Sequence, residues 1–253
     1  MPGNIVEGRK FLFFRTVRVI LNDEFFLRLI SQKNYSYVVA ISHTKIDVPA
    51  SVAVKTKKTS CVDLQRSPEE ILQSFHDTTR NEVRRTFSIP DFSFTCNDER
   101  FKEAYSMYKE FRRKKNLEIQ PPLFFRSVLR FSAYLQGRLM AVVTCYDADP
   151  YLRIQNIFSA FPHNVGMQKY IGIATRRLIY DVCVYGSKKG RTYLDMASIN
   201  LHNPAKKGIT NFKLSFGGTI MDEYTYTYKS AFMRLLGSFR NIVRVARNKG
   251  NST

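Results

Sequence analysis

Gly208-Ile-Thr-Asn-Phe-Lys-Leu-Ser-Phe-Gly-Gly218 is the stretch on which the reading of this chain turns. Phe212 and Phe216 stand four residues apart, which on a helix puts both rings on one buried face. Lys213 lies beside that face, where its ammonium can reach a neighbouring cleft. Gly217-Gly218 stops the helix, because glycine accepts the left-handed conformation that a helix C-terminus often needs. Just upstream, Arg191-Thr-Tyr-Leu-Asp-Met-Ala-Ser-Ile199 reads as a buried strand that ends in small residues. A strand, a polar loop, a short helix with a protruding lysine and a glycine pair together make a functional edge.

Working outward, Tyr224-Thr-Tyr-Thr-Tyr228 is a strand whose three tyrosines share one face, and Tyr224 is a candidate for substrate contact. A helix is expected from about 166 to 187, with Ile171, Ala174, Leu178, Ile179 and Val182 on its core face. Before it, 131–161 reads as a three-stranded antiparallel meander with turns at Gln136-Gly137 and 147–150. Further back, helices are expected after Pro121-Pro122 and over 98–115, the latter carrying Phe101, Ala104, Tyr105, Tyr108 and Phe111 as its stripe. Ser67-Pro-Glu-Glu70 opens another helix: Ser67 caps it, Pro68 suits the first position and Glu70 completes a capping box. Arg80, Arg84 and Arg85 crowd its far end. Arg80 and Arg84 share a face and suit a phosphate clamp, although a solvated basic helix end reads equally well. Strands are expected over 10–21 and 51–57, with a strand or helix at 35–41. A basic amphipathic helix near 230–247 either packs on the body or lies on an anionic membrane surface.

The chain has 253 residues, 44% hydrophobic and 24% charged, which is a globular composition. Its net charge of +19 calls for an anionic partner: nucleic acid, a polyphosphate-bearing small molecule or an anionic membrane surface. Cys61, Cys96, Cys145 and Cys183 are far apart, with no C-x-x-C and no nearby His pair, so neither zinc nor a disulfide framework is expected. The apolar stretch 11–21 is interrupted by Arg15 and Arg18, and no apolar run reaches the roughly 18 residues that suggest a span. The expectation is a soluble, cytoplasmic protein, peripheral to the inner membrane face if the last helix binds lipid. No G-x-S-x-G elbow and no Walker-type loop is present.

Lys169-Tyr-Ile-Gly172-Ile-Ala174, where the long helix opens, suits a pyrophosphate cradle made of backbone N–H groups loosened by Gly172. It is similar to the R/Q-x-x-G-x-G/A signature of the GNAT acyltransferases, with Lys169 in place of the usual first residue. Phe212-Lys213-x-x-Phe216-Gly217-Gly218, after the strand with Tyr193-Leu-Asp195, resembles the C-terminal signature of the FemAB-like branch of that fold. The segment from Ser67 to Arg85 resembles the polar-helix element of the same branch. The resemblance runs in order from about residue 60 to 228. It implies an α/β fold, a GNAT-like mixed, mostly antiparallel sheet that splits where the acyl donor lies and is flanked by helices. On this reading 1–60 forms a partial subdomain of strands and 61–253 the transferase domain, or 1–248 is one continuous domain. FemAB proteins proper have two such domains and use aminoacyl-tRNA. The shorter length favours relatives that resemble acyl-CoA-dependent transferases of cell-envelope or polysaccharide pathways.

Such a reaction joins an amine to a thioester or ester carbonyl, and negative charge develops on the carbonyl oxygen. Lys213 is the candidate cation for that oxygen, a role the resemblance also implies. A base or a water chain must take the amine proton. Asp195 and His202 are the nearest candidates, and Asp195 equally suits orienting the Lys213 segment. The expected cofactor is acyl-CoA, acetyl-CoA first, held at Lys169, Gly172 and Ala174. The expected acceptor is an amine on a phosphate-bearing, nucleotide- or lipid-linked sugar. Aminoacyl-tRNA is the alternative donor, and a non-catalytic RNA- or membrane-binding protein the alternative of another class.

Overall fold

The computed structural model describes residues 5–11, 14–161 and 165–235, with backbone alone at 5–11, 165 and 166. The chain divides into two compact units: residues 1–56 with 222–253, and residues 57–221. This grouping differs from a break at residue 60, because the last described strand mostly joins the first unit. The expected C-terminal helix lies mostly in 236–253, outside the described residues; 231–235 are helical.

The first unit contains β1 (Ile5–Phe11), β2 (Phe14–Ile20), α1 (Asp23–Gln32) and β3 (Tyr37–Ser42), and closes with β10, a strand spanning Thr219–Lys229. Strands run in the order β1-β2-β3-β10. The β2–β3 pair is parallel, which requires the crossover that α1 supplies, and β10 adds antiparallel on β3. Asn22 caps α1 by accepting the Phe25 N–H, and Phe26, Leu29 and Ile30 turn inward. They pack with Val17, Val19, Val38, Ala40 and the wholly buried Tyr226. Tyr224 and Tyr228 lie on the same side of that core, partly buried, as the alternation of β10 requires.

The second unit takes β4 (Val52–Asp63) from residue 57 onward and then α2 (Pro68–Ser74), α3 (Asp77–Thr86), β5 (Phe92–Cys96), α4 (Phe101–Lys114) and α5 (Pro122–Arg126). The meander follows as β6 (Leu129–Leu135), β7 (Arg138–Ala148) and β8 (Tyr151–Ser159). Then come α6 (Val165–Lys188), β9 (Tyr193–Ile199), a 3-10 turn at Pro204–Lys206 and α7 (Lys207–Leu214). The strand order is β4-β9-β8-β7-β6-β5, antiparallel at every described pair except β8–β9. One core gathers α2, α3 and α6 with Phe216 on one side of the strands. The other gathers α4 and α5 around Tyr108, Phe125 and Phe158.

Three local features carry the site. The single helix expected from Ser67 onward is two, because Phe75 is extended between α2 and α3. That break is where α7 docks: the His76 N–H donates to the Ser215 carbonyl at 2.9 Å, and the Thr79 hydroxyl to Ser215 Oγ at 2.8 Å. Gly217 follows with φ +69, and a Cβ there would sit 2.1 Å from the Ser74 carbonyl oxygen. A Cβ on Gly218 would meet Ser60 Oγ at 2.4 Å. The glycine pair therefore ends the helix and also lets the chain pass against α2 and β4. In α6, Gly186 allows close approach to Leu64 and Leu152, whose methyl carbons lie 2.5 and 2.8 Å from where its Cβ would be.

Candidate functional site

β8 and β9 run side by side for three residues only: Tyr151↔Tyr193, Leu152↔Leu194 and Arg153↔Asp195. Beyond that point β8 stays with β7 and β9 with β4. Both strands carry an extra residue directly after they part. On β8, Ile154 and Asn156 face the consecutive Cys145 and Thr144, which leaves Gln155 as the bulge. On β9, Asp195 and Ser198 face Cys61 and Thr59, so one residue of Met196–Ala197 is extra. Bulges bend a strand and end its pairing, so these two open the sheet between its parallel strands.

The buried Arg153 and the wholly buried Asp195 form an ion pair at the throat of this opening. Asp195 also accepts from the Thr59 hydroxyl and, at 2.7 Å, from the Ala197 N–H. Ala197 has φ +60, an uncommon conformation for a residue with a side chain. From α7, the Lys213 ammonium donates to the Ser198 carbonyl at 2.9 Å and the Ala197 carbonyl at 3.2 Å. The lysine is thus tethered to the part of β9 that has left β8 and stays paired with β4. Phe212 and Phe216 fix the helix that carries it, meeting edge to face at 5.2 Å with Phe216 fully buried.

On the opposite strand, Gln155 accepts from Thr144 through Oε1. Its Nε2 is buried and has no hydrogen-bond partner among the described residues. Sequence reading missed Gln155 and Arg153. Neither belongs to a motif, and their roles follow only from the register of neighbouring strands.

The other expected site residues fall differently. Asp195 is buried and both its oxygens are engaged, so it does not stand as an exposed base. His202 is exposed on the loop before α7, its backbone N–H donating to Asn200 Oδ1. The helix α6 begins at Val165, four residues before Lys169. The amides of Gly172 and Ala174 therefore lie inside the helical ladder; the unpaired ones of a helix start are those of residues 165–168. Lys169 is exposed, and Ala174 is fully buried in the core. A Cβ on Gly172 would meet only Arg176 at an ordinary 3.6 Å.

Arg80 and Arg84 do not form an open phosphate clamp. The Arg80 guanidinium binds the carbonyls of Gln73 and Phe75 and the Asp77 carboxylate, tying α2 to α3. Arg84 pairs with Glu69 at 3.1 Å. Tyr224 belongs to the first unit, stacked on Tyr226 at 6.4 Å. Burial pushes up the thiols of Cys145, Cys183 and Cys96, the opposite of what a nucleophilic thiolate needs.

The fold is a mixed α/β one, its sheet mostly antiparallel and flanked by helices, with an opening between parallel strands and a lysine at its edge. Among solved structures it is similar to a crystal structure of FemX, with a TM-score of 0.64 at 11% identity, covering 88% of this chain and 83% of that one. It is also similar to the C-terminal domain of a putative lysylphosphatidylglycerol synthetase from Agrobacterium fabrum (TM-score 0.55, 11% identity, 94% of this chain and 84% of that one). L-PGS from Bacillus licheniformis compares at a TM-score of 0.53 and 13% identity, over 93% and 84% of the two chains. No protein-family model and no curated protein matches the sequence. At these identities the likeness is one of fold. No helix among the described residues is long and apolar enough to cross a membrane.

Proposed function

We propose that this chain is an acyl-group transferase that moves an aminoacyl group from aminoacyl-tRNA to an amine on a phosphate-bearing acceptor. The observation that carries this reading is the parting of β8 and β9 with Lys213 tethered at the parted end of β9. An open sheet between parallel strands gives an extended donor a slot, and an ammonium at its rim suits the charge that develops on the carbonyl oxygen. The amine nitrogen attacks the ester carbon, and the oxygen takes the negative charge beside Lys213. The intermediate then collapses with loss of the ribose hydroxyl. The proton shed by the amine returns to that leaving oxygen, so the step consumes nothing further.

The acyl-CoA donor expected from Lys169 to Ala174 has lost its main support, since that segment is inside α6. Two further points favour an RNA carrier. The net charge of +19 suits a polyanion larger than one pyrophosphate. FemX and proteins named as lysylphosphatidylglycerol synthetases share the fold. Acyl-CoA stands as the second reading because the first-turn amides of α6 follow β8 closely and suit a phosphate. An amino sugar linked to a nucleotide or lipid remains the proposed acceptor.

The test is to incubate the protein with total tRNA charged with labelled amino acids, and separately with acetyl-CoA, each with UDP-linked amino sugars. Label transferred from tRNA in a Lys213-dependent way supports the reading. Thiol release from acetyl-CoA without loss of tRNA label moves the donor to acyl-CoA. Inertness toward both donors would sink the transferase reading.

A further inference from the structure

We infer that Asp195 is a positioning residue that holds the Ala197 bulge in its left-handed conformation, so that two carbonyls of β9 aim at the Lys213 ammonium. The inference rests on the reading of Lys213 as the cation facing the reacting carbonyl. Asp195 accepts the Ala197 N–H at 2.7 Å, two residues along its own strand. The Thr59 hydroxyl and Arg153 fix the same carboxylate from β4 and β8. Three strands thus converge on one buried anion at the last register where β8 and β9 still pair.

Ala197 at φ +60 needs such support, since a Cβ disfavours that region and glycine does not. The bulge turns the carbonyls of Ala197 and Ser198 toward α7, where Lys213 meets both. An Asn at 195 would offer one acceptor oxygen where the carboxylate offers two. It would face either Arg153 or the Ala197 and Thr59 donors with its own N–H groups.

The test reads Lys213 directly. A brief pulse of dilute acetic anhydride, followed by peptide mass mapping, compares Lys213 with the exposed Lys206 and Lys207 as internal references. In the native chain Lys213 should label about tenfold more slowly than the references, given two charge-assisted hydrogen bonds. Asp195→Asn should close that gap. The double variant Asp195→Asn with Ala197→Gly should reopen it, because glycine takes the bulge conformation unaided. Asp195→Asn also leaves Arg153 buried without its counter-charge, which endangers folding. Ala197→Val avoids this: it leaves the ion pair intact while a β-branched residue resists φ +60, and it should close the gap as well.

Equal Lys213 labelling in the native chain and Ala197→Val would overturn the inference. So would a double variant no different from folded Asp195→Asn. In the charged-tRNA assay Asp195→Asn and Ala197→Val should lower kcat and leave KM nearly unchanged, and the double variant should recover kcat. If the native chain transfers nothing, the functional reading fails by itself, while the labelling still decides the positioning.

Discussion

At the residue scale the proposed transfer turns on Lys213. Lys213→Ala should lower kcat about 10²- to 10³-fold, the usual cost of losing one donor to a developing oxyanion, with little change in KM. Steady-state kinetics on charged tRNA checks it. A second residue-scale prediction concerns pH. Burial pushes the Asp98 carboxyl up, but hydrogen bonds from Thr95, Tyr134 and the Arg100 amide, with the Arg130 charge, more than offset this and leave it below its ordinary 3.8. A depressed carboxyl adds stability that is complete above its unfolded value and lost as pH falls through the folded one. Asp98→Asn should therefore be less stable than the native chain at neutral pH, with the gap shrinking below pH 3.8 in urea melts. Lys213 and Gly217 were legible in sequence because a helix stop and an i,i+4 aromatic pair are local patterns. For Asp195 the sequence left base and orienting group both open, because the partners that engage its carboxylate, Thr59 and Arg153, lie 136 and 42 residues away. Arg80 and Arg84 were misread for a related reason: helical spacing puts them on one face but says nothing of the carbonyls and carboxylates that occupy them.

At the element scale the junction of α7 with α2 invites the sharpest test. Gly217→Ala combines a left-handed φ with a Cβ 2.1 Å from the Ser74 carbonyl, and should cost about 2–4 kcal/mol by urea unfolding. Gly186→Ala runs against helix propensity: alanine ordinarily favours a helix, but here its methyl would press on Leu64 and Leu152. The net result should be a loss of about 1–3 kcal/mol. The meander, α4 and α6 were readable because apolar periodicity over long segments is a strong signal, and the observed strands and helices follow it. The break at Phe75 was not, because the docking of α7 imposes it. The start of α6 was readable to within a residue, and that start already puts K-x-x-G-x-A one turn inside the helix and not at its mouth. The opening between β8 and β9 depends on two bulges, at Gln155 and at Met196–Ala197, which no short sequence pattern marks.

At the scale of the whole molecule, the net charge of +19 bears on the proposed partner. If the donor is RNA, affinity for tRNA should fall steeply with salt, about 10³-fold or more between 50 and 200 mM for six to ten phosphate contacts. Filter binding across that range checks it, and a flat response would argue for a small ligand. The two units also differ in how the chain builds them. Residues 57–221 form one uninterrupted unit, whereas the other takes 1–56 from one end and 222–253 from the other. Because β10 pairs with β3, the edge of β3 has no antiparallel neighbour in its own unit until residues 224–229 exist. On the ribosome, at about 5–20 residues per second, β3 therefore waits on the order of ten to forty seconds with that edge bare. The unit whose strands are made first is thus the last to close, and nascent chains stalled near residue 220 should be the ones a chaperone finds.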